Sequence, residues 1–326
     1  MLKNTLTTSM IILGLGASSA AMAEQKLAVI SSFSILGDLV SEVGKEHVAV
    51  TNLVKINGDA HVFSPNPQDA KAISKAQLVV INGLQFEGWM PRLIEAANYK
   101  GVQVIAANGI EELKTTGGGC KHEHHDHEQH NDEHEHHDHE QHNDEHEHHD
   151  HGDIDPHAWH SIKNVKVYVH NIAQGLIQVD PENRLDYQQN ATNYIQKLDQ
   201  LALKLNSQLA TIPETQRKVI TPHDAFAYFA RDFNVTFLSP QGTSTGSEAS
   251  AADVAKLIKQ IRHDNVNAVF MENIADNRLI EQISRETNAK VGGKLYSDAL
   301  SAPGQSAATY LEMMQYNVDT IVNALK

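Results

Sequence analysis

Histidine is where this sequence concentrates its capacity for chemistry. It contains 21 histidines, and 14 of them fall within residues 122–151, where the unit HEHHDHEQHNDE occupies 122–133, recurs at 134–145 and begins again at 146. Neutral imidazoles interleaved with carboxylates are ligands for divalent metals such as zinc. A stretch this polar cannot bury a core, so 114–152 is expected to be a disordered His-rich loop. Each binding event there must order the loop, which predicts several weak additional Zn(2+) sites in place of one tight one.

The seven histidines outside the repeat are His47, His61, His157, His160, His170, His223 and His263. His223 follows the strand-like KVIT across Pro222 and precedes a helical segment, which places it at the carboxyl edge of a parallel sheet, where α/β proteins bind ligands. His61 lies in the loop GDAHVFSPNP, and His157 in DPHAWH just before a helical region. Asp298, in LYSDAL, also comes immediately after a strand-like run. Three imidazoles and one carboxylate make a tetrahedral zinc set, with bonds of about 2.0–2.2 Å. The spacing between them is long-range, so only a fold can bring them together. His160 is expected to take a surface or supporting position, and His47, His170 and His263 solvated ones. Trp159 reads as packing around the site, and Cys120 as an incidental thiol.

The elements that must position these residues follow from periodicity. LAVISS, FSILGDLVSEVG and HVAVTNLV read as strand, helix, strand. PQDAKAISKA, QLVVING, a helix near Trp89 to Ala97 and VQVIAA continue the alternation, which implies an α/β lobe with a mainly parallel sheet. Asp180-Pro181-Glu182 reads as the start of a long helix, about 182–210. Its apolar stripe is Tyr187, Ala191, Tyr194, Leu198, Leu201, Leu205 and Leu209, ending at Pro213. The second half repeats the α/β grammar through RKVIT, AFAYFARDF, VTFLS, SAADVAKLIKQIR, NAVFM, a further helix, the short strand KLY and a final helix from about Ala307.

Length and charge narrow the class. A chain of 326 residues exceeds one ordinary core, so two lobes are expected. The formal charge of -15 owes 12 acidic residues to 122–151, which has no Lys or Arg; without that segment it is -3. No basic patch points to nucleic acid. Lys3, the apolar run Met10 to Ala21 and Ala21-Met22-Ala23 form a signal peptide over 1–23. No cysteine stands at the cleavage point, which favours a free receptor in a periplasm. The single cysteine excludes an intrachain disulfide.

Together, GDAHVFSPNPQDAKAISKAQLVVING, DPHAWH, DPENRLDYQQN, TPHDAFAYFARDF and LYSDALS, in this order, give a chain that resembles the metal-binding receptors of zinc and manganese ABC transporters. It is most similar to the zinc receptors with a charged His-rich loop. The resemblance covers essentially the whole mature chain. It implies two α/β lobes with mainly parallel sheets joined by a long rigid helix, with the metal in the interlobe cleft and limited lobe closure. On this reading the N-terminal lobe spans 24–160, a helical connector 161–213, and the C-terminal lobe 214–326.

The resemblance also implies ligation by His61, His157, His223 and Asp298. Receptors for manganese or iron tend to carry a carboxylate at the position of His223, and imidazole suits zinc better. Some zinc receptors have a glutamate immediately before the first histidine. Here that residue is Ala60, with Asp59 one position earlier, so Asp298, Asp59 or water compete for the fourth place, and Asp298 is preferred. The expected activity is capture of Zn(2+) for delivery to an ABC-transporter membrane permease. The chain is expected to be a monomer, with a periplasmic metallochaperone as a further possible partner. A zinc hydrolase would need a general base beside the ion, and no HExxH arrangement occurs. A manganese or iron receptor, or a stand-alone periplasmic zinc chaperone or buffer, are the alternatives.

Overall fold

The computed structural model describes residues 26–115 and 154–326. The expected signal peptide, Cys120 and all but the first two residues of the His-rich segment lie outside the described residues. Among the described residues no helix is long and apolar enough to cross a membrane.

The first lobe contains β1 (Leu27–Ser31), α1 (Ser34–Gly44), β2 (Val48–Asn52), α2 (Pro67–Ile73), β3 (Leu78–Ile81), α3 (Met90–Ala96) and β4 (Val102–Ile105). Its strands pair in parallel in the order β2-β1-β3-β4. Burial on both faces explains the near-continuous apolar runs of the central strands β1 and β3, whereas the edge strands β2 and β4 are partly exposed. Helix α4 (Ile162–Val179) packs on β3, β4 and α1. Gly175 allows the closest approach: a Cβ there would lie 2.2 Å from a methyl of Val104.

The second lobe repeats the plan with β5 (Lys218–Ile220), α6 (Ala227–Phe233), β6 (Thr236–Leu238), α7 (Ala251–Asp264), β7 (Ala268–Glu272), α8 (Arg278–Glu286), β8 (Lys290–Leu295) and α9 (Tyr310–Leu325). Its parallel order is β6-β5-β7-β8, the same second-first-third-fourth arrangement. β8 is longer than the expected KLY. Gly292 and Gly293 read as breakers, but the register shift between Val269 and Phe270 accommodates them, and Gly293 adopts φ 139°.

Between the lobes runs a helix of 26 residues, α5 (Arg184–Leu209), about 39 Å long at 1.5 Å per residue. Its buried residues are Tyr187, Ala191, Tyr194, Leu198, Leu205 and Leu209, with Leu201 half-buried, which is the predicted stripe. It packs on α1 and α4 of one lobe and on α9 of the other. Its start differs from expectation: Pro181–Asn183 form a 3-10 turn, and Asp180 serves as acceptor for the Tyr187 hydroxyl (2.5 Å) and the Asn183 amide (2.8 Å).

One apolar cluster is continuous across the boundary, joining Phe33 and Trp159 to Leu300, Tyr310 and Met313. The Tyr310 hydroxyl donates to the Trp159 carbonyl (2.8 Å), and Trp159 Nε1 donates to the Ser297 carbonyl (2.9 Å). Close-packed interiors resist deformation, so lobes that share a core in this way have little freedom to swing apart.

Candidate metal centre

Each of the four nominated residues follows the carboxyl end of a strand. His61 lies between β2 and α2, His157 between β4 and α4, His223 just after β5, and Asp298 just after β8. With both sheets presenting these edges to the cleft, residues separated by up to 237 positions in sequence meet. Their ligand atoms all lie within 4.8 Å of one another, and among the described residues they are the one such group of three or more.

The pairwise distances are informative. His61 Nε2 is 3.2 Å from His157 Nε2 and 3.2 Å from Asp298 Oδ2, while His223 Nε2 is 3.4 Å from Asp298 Oδ2. His157 Nε2 is 3.8 Å from Asp298 Oδ1. A tetrahedron with bonds of about 2.0–2.1 Å has edges of about 3.3–3.4 Å. Both Asp298 oxygens and both His223 ring nitrogens are buried without a well-aligned hydrogen bond, despite this closeness. The donor atoms thus converge on a common point, as those of a ligand set do.

Local structure fixes the rings. Asp59-Ala60-His61 and Asp155-Pro156-His157 repeat one device: the aspartate Oδ1 accepts the histidine backbone N–H two residues on, at 2.9 Å in both cases. Asp155 Oδ1 also lies 2.7 Å from His157 Nδ1. On the other lobe, Glu272 Oε2 lies 2.6 Å from His223 Nδ1 and accepts the Ser297 hydroxyl at 2.7 Å. A carboxylate on Nδ1 holds the imidazole so that Nε2 faces the metal and raises its basicity as a ligand. Glu272 therefore steadies two loops, those of His223 and of Asp298.

Sequence reasoning missed Glu272 and the role of Asp155. Asp155 was visible as the second Asp-x-His unit, whereas Glu272 meets His223 only because β5 and β7 are neighbours. Asp59 is not in the cluster: its Oδ2 accepts the Thr245 hydroxyl at 2.6 Å. His160 is not at the surface. It is fully buried, its ring 4.5 Å from that of Phe226, and burial followed by the neighbouring His157 pushes its pKa down to about 3. His47 is half-buried against Tyr187 and paired with Asp186 at 2.9 Å, while His170 and His263 are exposed as expected. Trp159 is buried, its ring 5.3 Å from that of His157.

Electrostatics favour a cation here. Burial drives the His223 pKa down, but Glu272 and Asp298 on either side outweigh it and hold the imidazole well above 6.5. Burial pushes the Asp298 carboxyl up, and His223 with His157 overcome this, holding it well below the usual range. In the metal-free chain the flanking carboxylates therefore favour a proton on His223. That proton stabilises the fold fully below about pH 6.5, and its contribution fades as pH rises through the elevated value.

A metal must displace the same proton. Titration calorimetry with zinc at pH 7 on the chain lacking 122–151, in buffers of different ionisation enthalpy, is expected to give release of about one proton from His223, with affinity still rising above pH 7. A buffer-independent heat and a flat profile would contradict the assignment.

Comparison with known proteins agrees with this geometry. Residues 29–324 match the family described as ZnuA, zinc-uptake complex component A, periplasmic. The manganese-binding lipoprotein MntA of Halalkalibacterium halodurans is 29% identical over 319 residues, covering 97% of this chain and 95% of the relative. The manganese ABC transporter substrate-binding lipoprotein scaA of Streptococcus gordonii is 27% identical over 314 residues, covering 94% and 92%. Among solved structures, the periplasmic zinc binding protein TroA from Treponema pallidum superposes with a TM-score of 0.77 at 25% identity, covering 92% of this chain and 99% of that one. The Mn-bound periplasmic metal binding protein from Candidatus Liberibacter asiaticus gives 0.75 at 28%, covering 92% and 100%. The chain belongs to the ZnuA family: it is a metal-binding receptor of an ABC transporter, and not an enzyme.

Proposed function

We propose that this receptor captures Zn(2+) in the periplasm, holds it through His61, His157, His223 and Asp298, and passes it to a membrane permease. The observation that carries the reading is the convergence of three imidazole Nε2 atoms and one carboxylate, with approaches of 3.2–3.8 Å. Imidazole-rich, four-donor sites suit zinc, whereas manganese favours carboxylate and water oxygens in six-coordinate sites. His223 is the decisive donor, because a carboxylate there would move the set toward harder ions. The His-rich segment collects zinc at weak sites or senses its abundance, and the cleft holds the ion that is delivered.

The test is direct competition. The chain saturated with Mn(2+) is expected to lose it to one equivalent of Zn(2+), and the zinc complex to resist a hundredfold excess of Mn(2+). Retention of manganese against equimolar zinc would favour the manganese reading, which the names of MntA and scaA keep in view.

A further inference from the structure

His157, His223 and Asp298 are fully buried, whereas His61 keeps partial exposure and is followed by Val62, 55% exposed. The His61 side chain, 5% exposed, is the donor of the four that reaches nearest to solvent. What keeps His61 in place is its loop, and that loop is held from the opposite lobe at two points. Asn57 N–H donates to the Leu300 carbonyl (3.0 Å), and the Asn273 amide donates to Asn57 Oδ1 (3.2 Å). Nearer the site, Asp59 divides its carboxylate: Oδ1 accepts the His61 backbone N–H (2.9 Å) and Oδ2 the Thr245 hydroxyl (2.6 Å). Thr245 lies in the segment between β6 and α7 of the second lobe.

The two Asp-x-His units show what is special about this arrangement. At Asp155 the same oxygen serves the histidine backbone and ring, so His157 is fixed within its own segment. At Asp59 the second oxygen is committed to the other lobe, so an interlobe bond adds to the hold from within the first lobe, where Trp89 Nε1 donates to the Ala60 carbonyl (2.8 Å) and the Phe86 ring packs on His61. A planar carboxylate cannot follow Thr245 away without turning Oδ1 off the His61 N–H.

Resting on the zinc reading above, we propose that zinc leaves the cleft past His61, and that Asp59 with Thr245 are positioning residues that set the rate of that step by tying the His61 loop to the second lobe. Neither touches the metal. Their bond is half-exposed, so water can replace it, and its loss alters the loop without disturbing the core.

The test is transfer of zinc from the full mature chain to an excess of chelator, followed by stopped flow. The slow phase reports the cleft, and weak sites elsewhere empty in the fast phase. Thr245→Val, which removes the hydroxyl and keeps the shape, is expected to speed the slow phase about 10-fold, as loss of a hydrogen bond to a charged group implies. Thr245→Ser should restore the parental rate, and Asp59→Ala with Thr245→Val should be no faster than Asp59→Ala alone. The melting temperature of the metal-free chain should barely move in Thr245→Val. A parental slow phase in Thr245→Val, or effects of the two substitutions that multiply, would overturn the proposal. Acceleration by Asp59→Ala with none by Thr245→Val would do so too, because Asp59 would then act without the interlobe bond. Absence of any slow phase in the parental chain would instead overturn the zinc reading, and this inference with it.

Discussion

Replacing His223 with alanine is expected to weaken zinc binding in the cleft by about 10²–10³-fold, the largest effect of any single change considered. Structural zinc sites contribute roughly 10–16 kcal/mol through four ligands, so one donor carries on the order of 2.5–4 kcal/mol. His223 is more than a quarter of the site, because its loss also strands Glu272. That carboxylate is 1% exposed, and besides the His223 ring it accepts, among the described residues, only the Ser297 hydroxyl (2.7 Å) and, more weakly, the His223 backbone N–H (3.3 Å). An unpaired buried charge is costly, so the metal-free variant should also melt earlier. Competition against a chelator of known affinity measures the first effect and circular dichroism the second. Undiminished affinity in a chain that lacks 122–151 would remove His223 from the site.

Deletion of 122–151 is expected to reduce zinc bound per chain from several ions to one, while the affinity of the remaining site changes by less than about threefold. The deletion removes 14 of 21 histidines but none of the cleft residues. The structural reason for independence lies at the neck of the insert. Lys114 and Ile154 form an antiparallel bridge, and Asp155 N–H donates to the Leu113 carbonyl at 2.8 Å. The Tyr228 hydroxyl accepts the Leu113 N–H (3.0 Å) and donates to the Asp155 carbonyl (3.1 Å). Asp155 in turn orients His157, so the parts that hold this ligand all survive the deletion. Calorimetry of both chains counts the sites. A variant without a tight site would show that the insert contributes to the cleft, contrary to the division of roles proposed.

Much of this was legible because the relevant signals are local. Strands buried on both faces announce themselves as apolar runs, and a histidine two residues after KVIT or an aspartate two residues after KLY is placed at a sheet edge by the chain itself. The stripe of α5 from Tyr187 to Leu209 follows from helical spacing alone. What escaped reading depends on neighbours distant in sequence. Glu272 supports His223 through the β5–β7 pairing, Thr245 reaches Asp59 across 186 positions, and His160 is buried because Phe226 folds over it.

Asp59 is the instructive case. Its closeness to His61 suggested a ligand, whereas its two oxygens are both committed elsewhere. The same Asp-x-His spacing at 155–157 shows that the spacing encodes orientation of a histidine and not a further donor. At the second lobe's edge, the Gly292-Gly293 pair concealed most of β8, because a bulge beside Phe270 tolerates glycines that otherwise interrupt a strand.

The central claim is that one zinc ion sits among His61, His157, His223 and Asp298. Diffraction from zinc-loaded crystals of the protein, recorded on both sides of the zinc absorption edge, tests it most directly. The expected result is a dominant anomalous peak in the interlobe cleft, with the three Nε2 atoms and an Asp298 oxygen each about 2.0–2.2 Å away. A cleft without an anomalous peak, or an ion held there by residues other than these four, would contradict the account.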